Sequence, residues 1–297
     1  MQSIYLITII LLLIIIMIMI MALVKKSKNN SESYRSPEQY VALEPYDNIQ
    51  LIPKIIHQTG PYPIPRKFIP NIKKLITQNP EYKYKYWSDD DIDKYLNTKC
   101  SEEEYNAYHR INPKYGAARA DYFRYIIVRD QGGIYLDLKS NSSVPFREII
   151  KPNDTYLLSS WANNSSGPND NILETGFGEF MNWFIISVPN HEFLKQVVKN
   201  VVHNINNYKL YPTISEKQKY NYPNKMVGKI GVLHLTGPII YTNTIKNMLT
   251  QQNHQFKYNS YDGQLQYSTL KSSNFFEHSK HFGKKHYSEI TEPIVIS

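Results

Sequence analysis

Cysteine is almost absent: the 297 residues contain one, Cys100. A single thiol excludes an intrachain disulfide framework and any cysteine-based zinc site. With 12 Gly and 17 Pro the chain is too poor in both for a collagen-like or low-complexity polymer. No internal repeat of about 20–50 residues is visible, so there is no sign of a solenoid or a propeller. Charge is missing altogether from the first 24 residues, so the net +8 belongs entirely to the remainder. What the chain does have is aromatic: 25 of its 39 aromatic residues are Tyr. That suits a surface that stacks on sugars or bases, and equally a coding bias shared with its many Ile, Asn and Lys.

Residues 4–24 form an uncharged run, mostly Ile, Leu and Met. As a helix it would be about 31 Å long, close to the hydrocarbon thickness of a bilayer. The run ends Met21-Ala22-Leu23-Val24 and passes straight into Lys25-Lys26 without a good cleavage site. It therefore reads as an uncleaved, single-pass anchor over residues 1–24, rather than as a signal peptide. Lys25, Lys26 and Lys28 follow it and no Lys or Arg precedes it, which by the positive-inside rule favours a cytosolic body. Residues 25–48 are polar and read as a stem, with a short helix near Pro37. Residues 49–297 are expected to be one catalytic domain.

In the body, Ile52-Pro53-Lys54-Ile55-Ile56-His57-Gln58-Thr59 reads as a buried strand whose end presents His57, Gln58 and Thr59. Residues 69–78 have helical spacing, and residues 82–87 alternate Tyr and Lys as a strand does. Ser88 followed by three Asp is a natural helix start. Asn112-Pro113 is expected to open a helix that runs to about Asp130 and is closed by Gly132-Gly133, and residues 134–138 are a further strand. Strand alternating with helix predicts an open, mostly parallel α/β sheet, whose ligands sit beyond the carboxyl ends of its strands.

Alternation along the last strand puts Tyr135, Asp137 and Lys139 on one side. Asp121 and Arg124, three apart on the preceding helix, share a face, with Arg119 just before them. By local pattern alone an exposed i,i+3 ion pair is the commoner arrangement.

Four blocks change that balance: Ile52-Pro53-Lys54-Ile55-Ile56-His57-Gln58-Thr59; Asn79-Pro80-Glu81-Tyr82 with Trp87; Arg119-Ala120-Asp121-Tyr122-Phe123-Arg124-Tyr125; and Gly132-Gly133-Ile134-Tyr135-Leu136-Asp137. In this order they resemble family 32 of the glycosyltransferases, the family with the DXD sugar-binding motif. That family includes fungal mannosyltransferases and bacterial capsular polysaccharide transferases. The resemblance implies a GT-A type, Rossmann-like sheet with helices on both faces, and retaining transfer from a nucleotide sugar. It further implies that His57, Gln58 and Thr59 lie beside the nucleotide and that Asp121 and Arg124 hold donor-sugar hydroxyls. Tyr135 would sit by the ribose, Arg119 and Asn182 would help bind the donor, and Asp137 would begin the metal motif. Leu235-Thr236-Gly237-Pro238 resembles the family's Thr-Gly-Pro turn. His286 is the nearest match to a C-terminal metal-side His, with His278 and His281 as rivals. Likeness to fungal Golgi enzymes implies a lumenal body, against the flanking lysines, and the lumenal side is preferred.

The sequence departs from the pattern at one position: Lys139 stands where a second Asp is expected. Paired carboxylates hold a divalent cation that bridges a diphosphate. With Lys139, three outcomes are open: Asp137 and His286 retain Mn²⁺ or Mg²⁺, Lys139 neutralises the diphosphate itself, or catalysis is lost. The first is the expectation. The catalytic set is then Asp137, Lys139, Asp121 and Arg124. The expected partners are a nucleotide sugar, a carbohydrate, glycolipid or glycoprotein acceptor, and a lipid bilayer. An inactive glycosyltransferase-like binding protein is the alternative. A basic nucleic-acid binder ranks lower, because the cationic residues are scattered and no nucleic-acid motif appears. Asp170, in an Asn- and Ser-rich loop, reads as a solvated acid rather than as an acceptor contact.

Overall fold

The computed structural model describes residues 50–160, 178–208, 227–249, 257–258, 264–268 and 286–297. The apolar run 4–24, the stem, Asp170, His278 and His281 lie outside them. Among the described residues no helix is long and apolar enough to cross a membrane.

The first half alternates strand and helix as expected. Strand β1 (Ile55–Thr59) leads through a short 3₁₀ turn into helix α1 (Ile69–Gln78), and β2 (Lys83–Trp87) into α2 (Asp89–Lys99). Ser88 caps α2 reciprocally: its hydroxyl accepts from the Asp91 N–H, and the Asp91 carboxylate accepts from the Ser88 N–H. A second such box, Ser101 with Glu104, starts α3 (Glu102–Arg110). The Ser-x-x-Glu spacing is the local signature of that helix start.

The next helix, α4 (Gly116–Gln131), begins later than Asn112-Pro113 suggests. Asn112 is diverted, because its N–H donates to the Ile294 carbonyl and its side chain accepts from the Lys114 N–H. The C-terminal segment thus docks on the entry to α4. After α4 come β3 (Gly133–Leu136), β4 (Asn141–Ser142), α5 (Phe146–Ile149), β5 (Tyr156–Leu158) and β6 (Phe184–Ser187). Helices α6 (Glu192–Asn206), α7 (Gly228–Leu235) and α8 (Pro238–Leu249) follow, then the short strands β7 (Lys257–Tyr258) and β8 (Leu265–Gln266).

Six strands form one sheet in the order β2-β1-β3-β6-β5-β7. Only β6 is reversed, pairing antiparallel with both β3 and β5. The fold is mixed α/β with a mostly parallel sheet, as expected. Alternate strand residues fill two layers. Trp87, Tyr135, Tyr156 and Ile185 pack with α4, α6, α7 and α8, whereas Ile56, Ile134, Leu136 and Ile186 pack with α1 and α5. Helix α4 is buried without a break from Asp121 to Val128, as a helix pressed between a sheet and other helices must be.

Strand β3 ends at Leu136, two residues earlier than the alternation implies. The Ser140 N–H donates to the Asp137 carbonyl, so Asp137 to Ser140 is a turn. Leu138 accordingly leaves the layer of Ile134 and Leu136 and packs with Ile64, Phe68 and Tyr86. Asp137 and Lys139 are therefore placed by a turn and not by strand alternation.

The turn from α4 into β3 depends on two glycines with positive φ, Gly132 at 65° and Gly133 at 88°. A Cβ on Gly133 would lie 2.5 Å from the Ile55 carbonyl oxygen, which the neighbouring strand cannot move aside. Gly133→Ala is expected to destabilise the protein by about 3 kcal/mol or more, since backbone strain and overpacking add. Chemical denaturation of the purified variant checks this, and a loss below about 1 kcal/mol would contradict the geometry.

Candidate active site

Arg124 lies on α4 directly behind the end of β3. Its Nη2 is 3.0 Å from Oδ1 of Asp121 and 2.9 Å from Oδ1 of Asp137. Its Nη1 donates to the Asn182 carbonyl, and its guanidinium lies 4.9 Å from the centre of the Tyr135 ring. The Arg124 side chain is 5% exposed, Asp121 11% and Asp137 24%, so Asp137 is the member of the cluster that meets solvent. The exposed ion pair considered from the sequence does not exist. The pair is buried and has recruited a second carboxylate.

Asp121 is held from all sides. The Asn182 amide donates to its Oδ1 at 3.3 Å and the Thr236 hydroxyl to its Oδ2 at 3.4 Å. Asn182 also donates to the Tyr125 hydroxyl, which itself donates to the Thr236 carbonyl. Thr-Gly-Pro, noticed in the sequence as a turn, thereby supplies a side chain to the cluster. Burial pushes the Asp121 carboxyl up to about 7; the Asp137 charge adds to this, while Arg124 and the two hydrogen bonds oppose it.

The end of β1 is framework. His57 is fully buried; its Nδ1 accepts from the Trp87 indole at 3.2 Å, and its Nε2–H donates to the Gly132 carbonyl at 3.1 Å. Burial lowers its pKa to about 4, so the ring is neutral. Gln58 donates to the Asp137 carbonyl and accepts from the Tyr84 hydroxyl, which fixes the turn that carries Asp137. The Thr59 hydroxyl donates to the Trp87 carbonyl. Arg119 donates twice to the Ile111 carbonyl and covers Tyr108. These four side chains, expected at the donor, are engaged in holding the scaffold together.

Lys139 points its ammonium at Tyr267, 3.0 Å from the hydroxyl and 4.1 Å from the ring centre. Ser140 donates to the Tyr267 carbonyl, and Trp183 packs on the Tyr267 ring. His286 caps a 3₁₀ turn, Tyr287–Glu289, with its Nδ1 bound to Ser288. Burial lowers the His286 pKa, and the charges of Lys139 and Lys229 lower it further against Glu289. The Tyr287 hydroxyl feels the charges of Asp121, Asp137 and Glu179. Tyr287 adjoins His286 in the segment matched to the family's C-terminal His, whereas Tyr267, Lys229 and Glu179 lie in no local motif and were not singled out from the sequence.

A resident divalent cation is tested by these donors. Mg²⁺ and Mn²⁺ favour carboxylate oxygens, commonly one or two besides substrate phosphate. Here the carboxylate of Asp137 is already paired with a guanidinium, the second motif position is an ammonium, and the charges of two lysines act on His286. Among the described residues no three His, Cys, Asp or Glu side chains converge on one point. This set does not fit a divalent cation held by Asp137 and His286.

Residues 65–153, which include α4 and Asp137, match the family described as the glycosyltransferase sugar-binding region containing DXD motif. This stretch is similar to a glycosyltransferase sugar-binding region. The chain is 29% identical over 189 residues to a mannosyl phosphorylinositol ceramide synthase of Saccharomyces cerevisiae, covering 62% of this chain and 42% of that protein. It is 32% identical over 160 residues to inositol phosphoceramide mannosyltransferase 3 of Schizosaccharomyces pombe, covering 53% of this chain and 39% of that one. The chain thus spans well under half the length of these curated relatives. Among solved structures it is similar to the PaToxG glycosyltransferase, at 18% identity and a TM-score of 0.48 over 67% of this chain and 70% of that one.

The Asp121 environment has a measurable consequence. A carboxyl whose pKa is higher in the folded than in the unfolded chain, about 7 against 3.8, costs stability progressively as pH rises through that window. Asp121→Asn removes this slope. Relative to wild type the variant should gain on the order of 2–3 kcal/mol between pH 5 and pH 8. Urea titrations of both proteins across that range measure it, and parallel curves would contradict the assignment. Arg124→Ala, which leaves two carboxylates facing each other in a buried site, should instead cost about 3–5 kcal/mol at neutral pH.

Proposed function

We propose that this chain is a membrane-anchored hexosyltransferase that moves a sugar from a nucleoside diphosphate donor to a glycan, lipid or protein acceptor with retention of anomeric configuration. The observation that carries the proposal is the buried Asp121–Arg124–Asp137 cluster at the carboxyl end of β3, inside the matched sugar-binding region. Strand ends of an open α/β sheet are where ligands bind. A charged cluster with one partly exposed member suits a sugar diphosphate better than it suits packing.

Each group has a chemical task in this reading. Asp121, with Asn182 and Thr236 fixing both its oxygens, accepts hydrogen bonds from donor-sugar hydroxyls and is oriented before the donor arrives. Arg124 keeps Asp121 and Asp137 from repelling each other and holds Asp137 in one rotamer. Tyr135, 3.5 Å from Asp137 Oδ1 through its hydroxyl, lines the same wall. Asp137 faces the solvent side, where the bond between sugar and diphosphate breaks. Relatives named for mannosyl transfer to inositol phosphoceramide make mannose the first donor sugar to try and a membrane lipid a natural acceptor. An N-terminal anchor at residues 4–24 would bring the site to such an acceptor, and a lumenal body is the preferred orientation. The second reading, an inactive binding protein, draws on Lys139 alone.

The test is a panel of nucleotide sugars incubated with the detergent-solubilised full chain, with nucleoside diphosphate release as the readout. At least one donor should be consumed, and Asp137→Asn should lower its turnover by about 10² or more while melting as a folded protein. Consumption of no donor would favour the binding-protein reading. Wild-type turnover by Asp137→Asn would remove Asp137 from the site.

A further inference from the structure

The place of the expected second carboxylate is taken by an ammonium that the fold has positioned with care. Lys139 follows Asp137 in a turn pinned by three side chains. Asn71 donates to the carbonyls of Leu138 and Ser140, Gln58 to that of Asp137, and the Ser140 hydroxyl to that of Tyr267. The ammonium meets the Tyr267 hydroxyl at 3.0 Å. Two other basic segments pack on each other. The start of α7 packs on residues 287–290, where a Cβ on Gly228 would lie 3.1 Å from the Ile290 carbonyl oxygen. Gly228 is followed by the exposed Lys229, and His286 precedes the segment on which Gly228 rests. Burial lowers the His286 pKa, and the charges of Lys139 and Lys229 lower it further against Glu289.

Asp137, by contrast, has its cation. A lone carboxylate beside a diphosphate would need a metal ion to offset repulsion. Arg124 Nη2 at 2.9 Å removes the requirement.

We infer that Lys139, supported by Lys229 and the His286 segment, stands in place of a divalent cation and binds the donor's diphosphate directly, so that donor binding needs no metal. The inference rests on the glycosyltransferase reading above and deepens it. An ammonium binds phosphate as a point charge, and charge-assisted hydrogen bonds to phosphate are among the stronger contacts a protein makes. Positive charge gathered in a cleft also draws a diphosphate in from solution. The bonds to the departing diphosphate are then ionic ones from Lys139 and Lys229, and no metal-bound species enters the step.

Calorimetric binding of UDP and GDP to the full chain tests this, in excess EDTA and in Mn²⁺. For whichever of the two binds, wild-type affinity should agree within about two-fold between the conditions. Lys139→Ala should weaken it by about ten-fold or more, and Lys139→Arg should restore most of it. Lys139→Asp should bind poorly in EDTA and recover with Mn²⁺, because it recreates the paired carboxylates. Melting temperatures of the three variants, close to wild type, show that the losses are local. Wild-type binding that vanishes in EDTA and returns with Mn²⁺ would overturn the inference while leaving the glycosyltransferase reading intact, as would wild-type affinity in Lys139→Ala. Binding of neither nucleotide under either condition would count against both.

Discussion

Arg124 has a single nitrogen within 3.0 Å of two carboxylates, in a site where its own side chain is 5% exposed. Two buried carboxylates that close would repel each other, and removing the cation between them costs about 3–5 kcal/mol in comparable buried pairs. The surrounding architecture serves this contact. Helix α4 must be buried on nearly every side to bring Arg124 under β3. The Gly132-Gly133 turn must be tight enough to fold β3 back beside the helix. Asn182, on the segment before the reversed strand β6, must reach across with both its backbone carbonyl and its amide.

The cluster also sets the electrostatics of the opening. Arg124 offsets the Asp137 charge from behind, while the position expected to carry a second carboxylate carries the Lys139 ammonium. The tyrosines that looked like either a stacking surface or a compositional bias turn out to have mixed fates. Tyr125 stacks on Tyr241 within the core at 5.6 Å, whereas Tyr267 orients the Lys139 ammonium.

Much of the frame was legible from residues in order. Ser88 with Asp91 marked a helix start, residues 69–78 showed helical spacing, and Gly132-Gly133 marked the stop of α4; each depends on interactions within a few residues. The reading faltered where distant chain intervened. Asn112-Pro113 does not start α4, because the C-terminal segment claims the Asn112 backbone. Strand alternation does not extend through Lys139, because the chain turns at Asp137 and Leu138 packs with Phe68 and Tyr86 instead. His57, Gln58, Thr59 and Arg119 were recognisable as special, and their hydrogen bonds explain why: they lock strand ends, a turn and a helix entry.

The amino-acid order by itself determined the mixed α/β alternation, the caps and glycine turn, and the presence of Asp121, Arg124, Asp137 and an anomalous Lys139 in one stretch. Local backbone preferences and hydrophobic period act over a few residues and leave their mark in that order. Only the tertiary structure decided that Arg124 serves both carboxylates, that Thr236 and Asn182 complete the grip on Asp121, and that Lys139 meets Tyr267, 128 residues away. Those contacts are fixed by which apolar faces bury one another, and that choice is made by the whole chain at once.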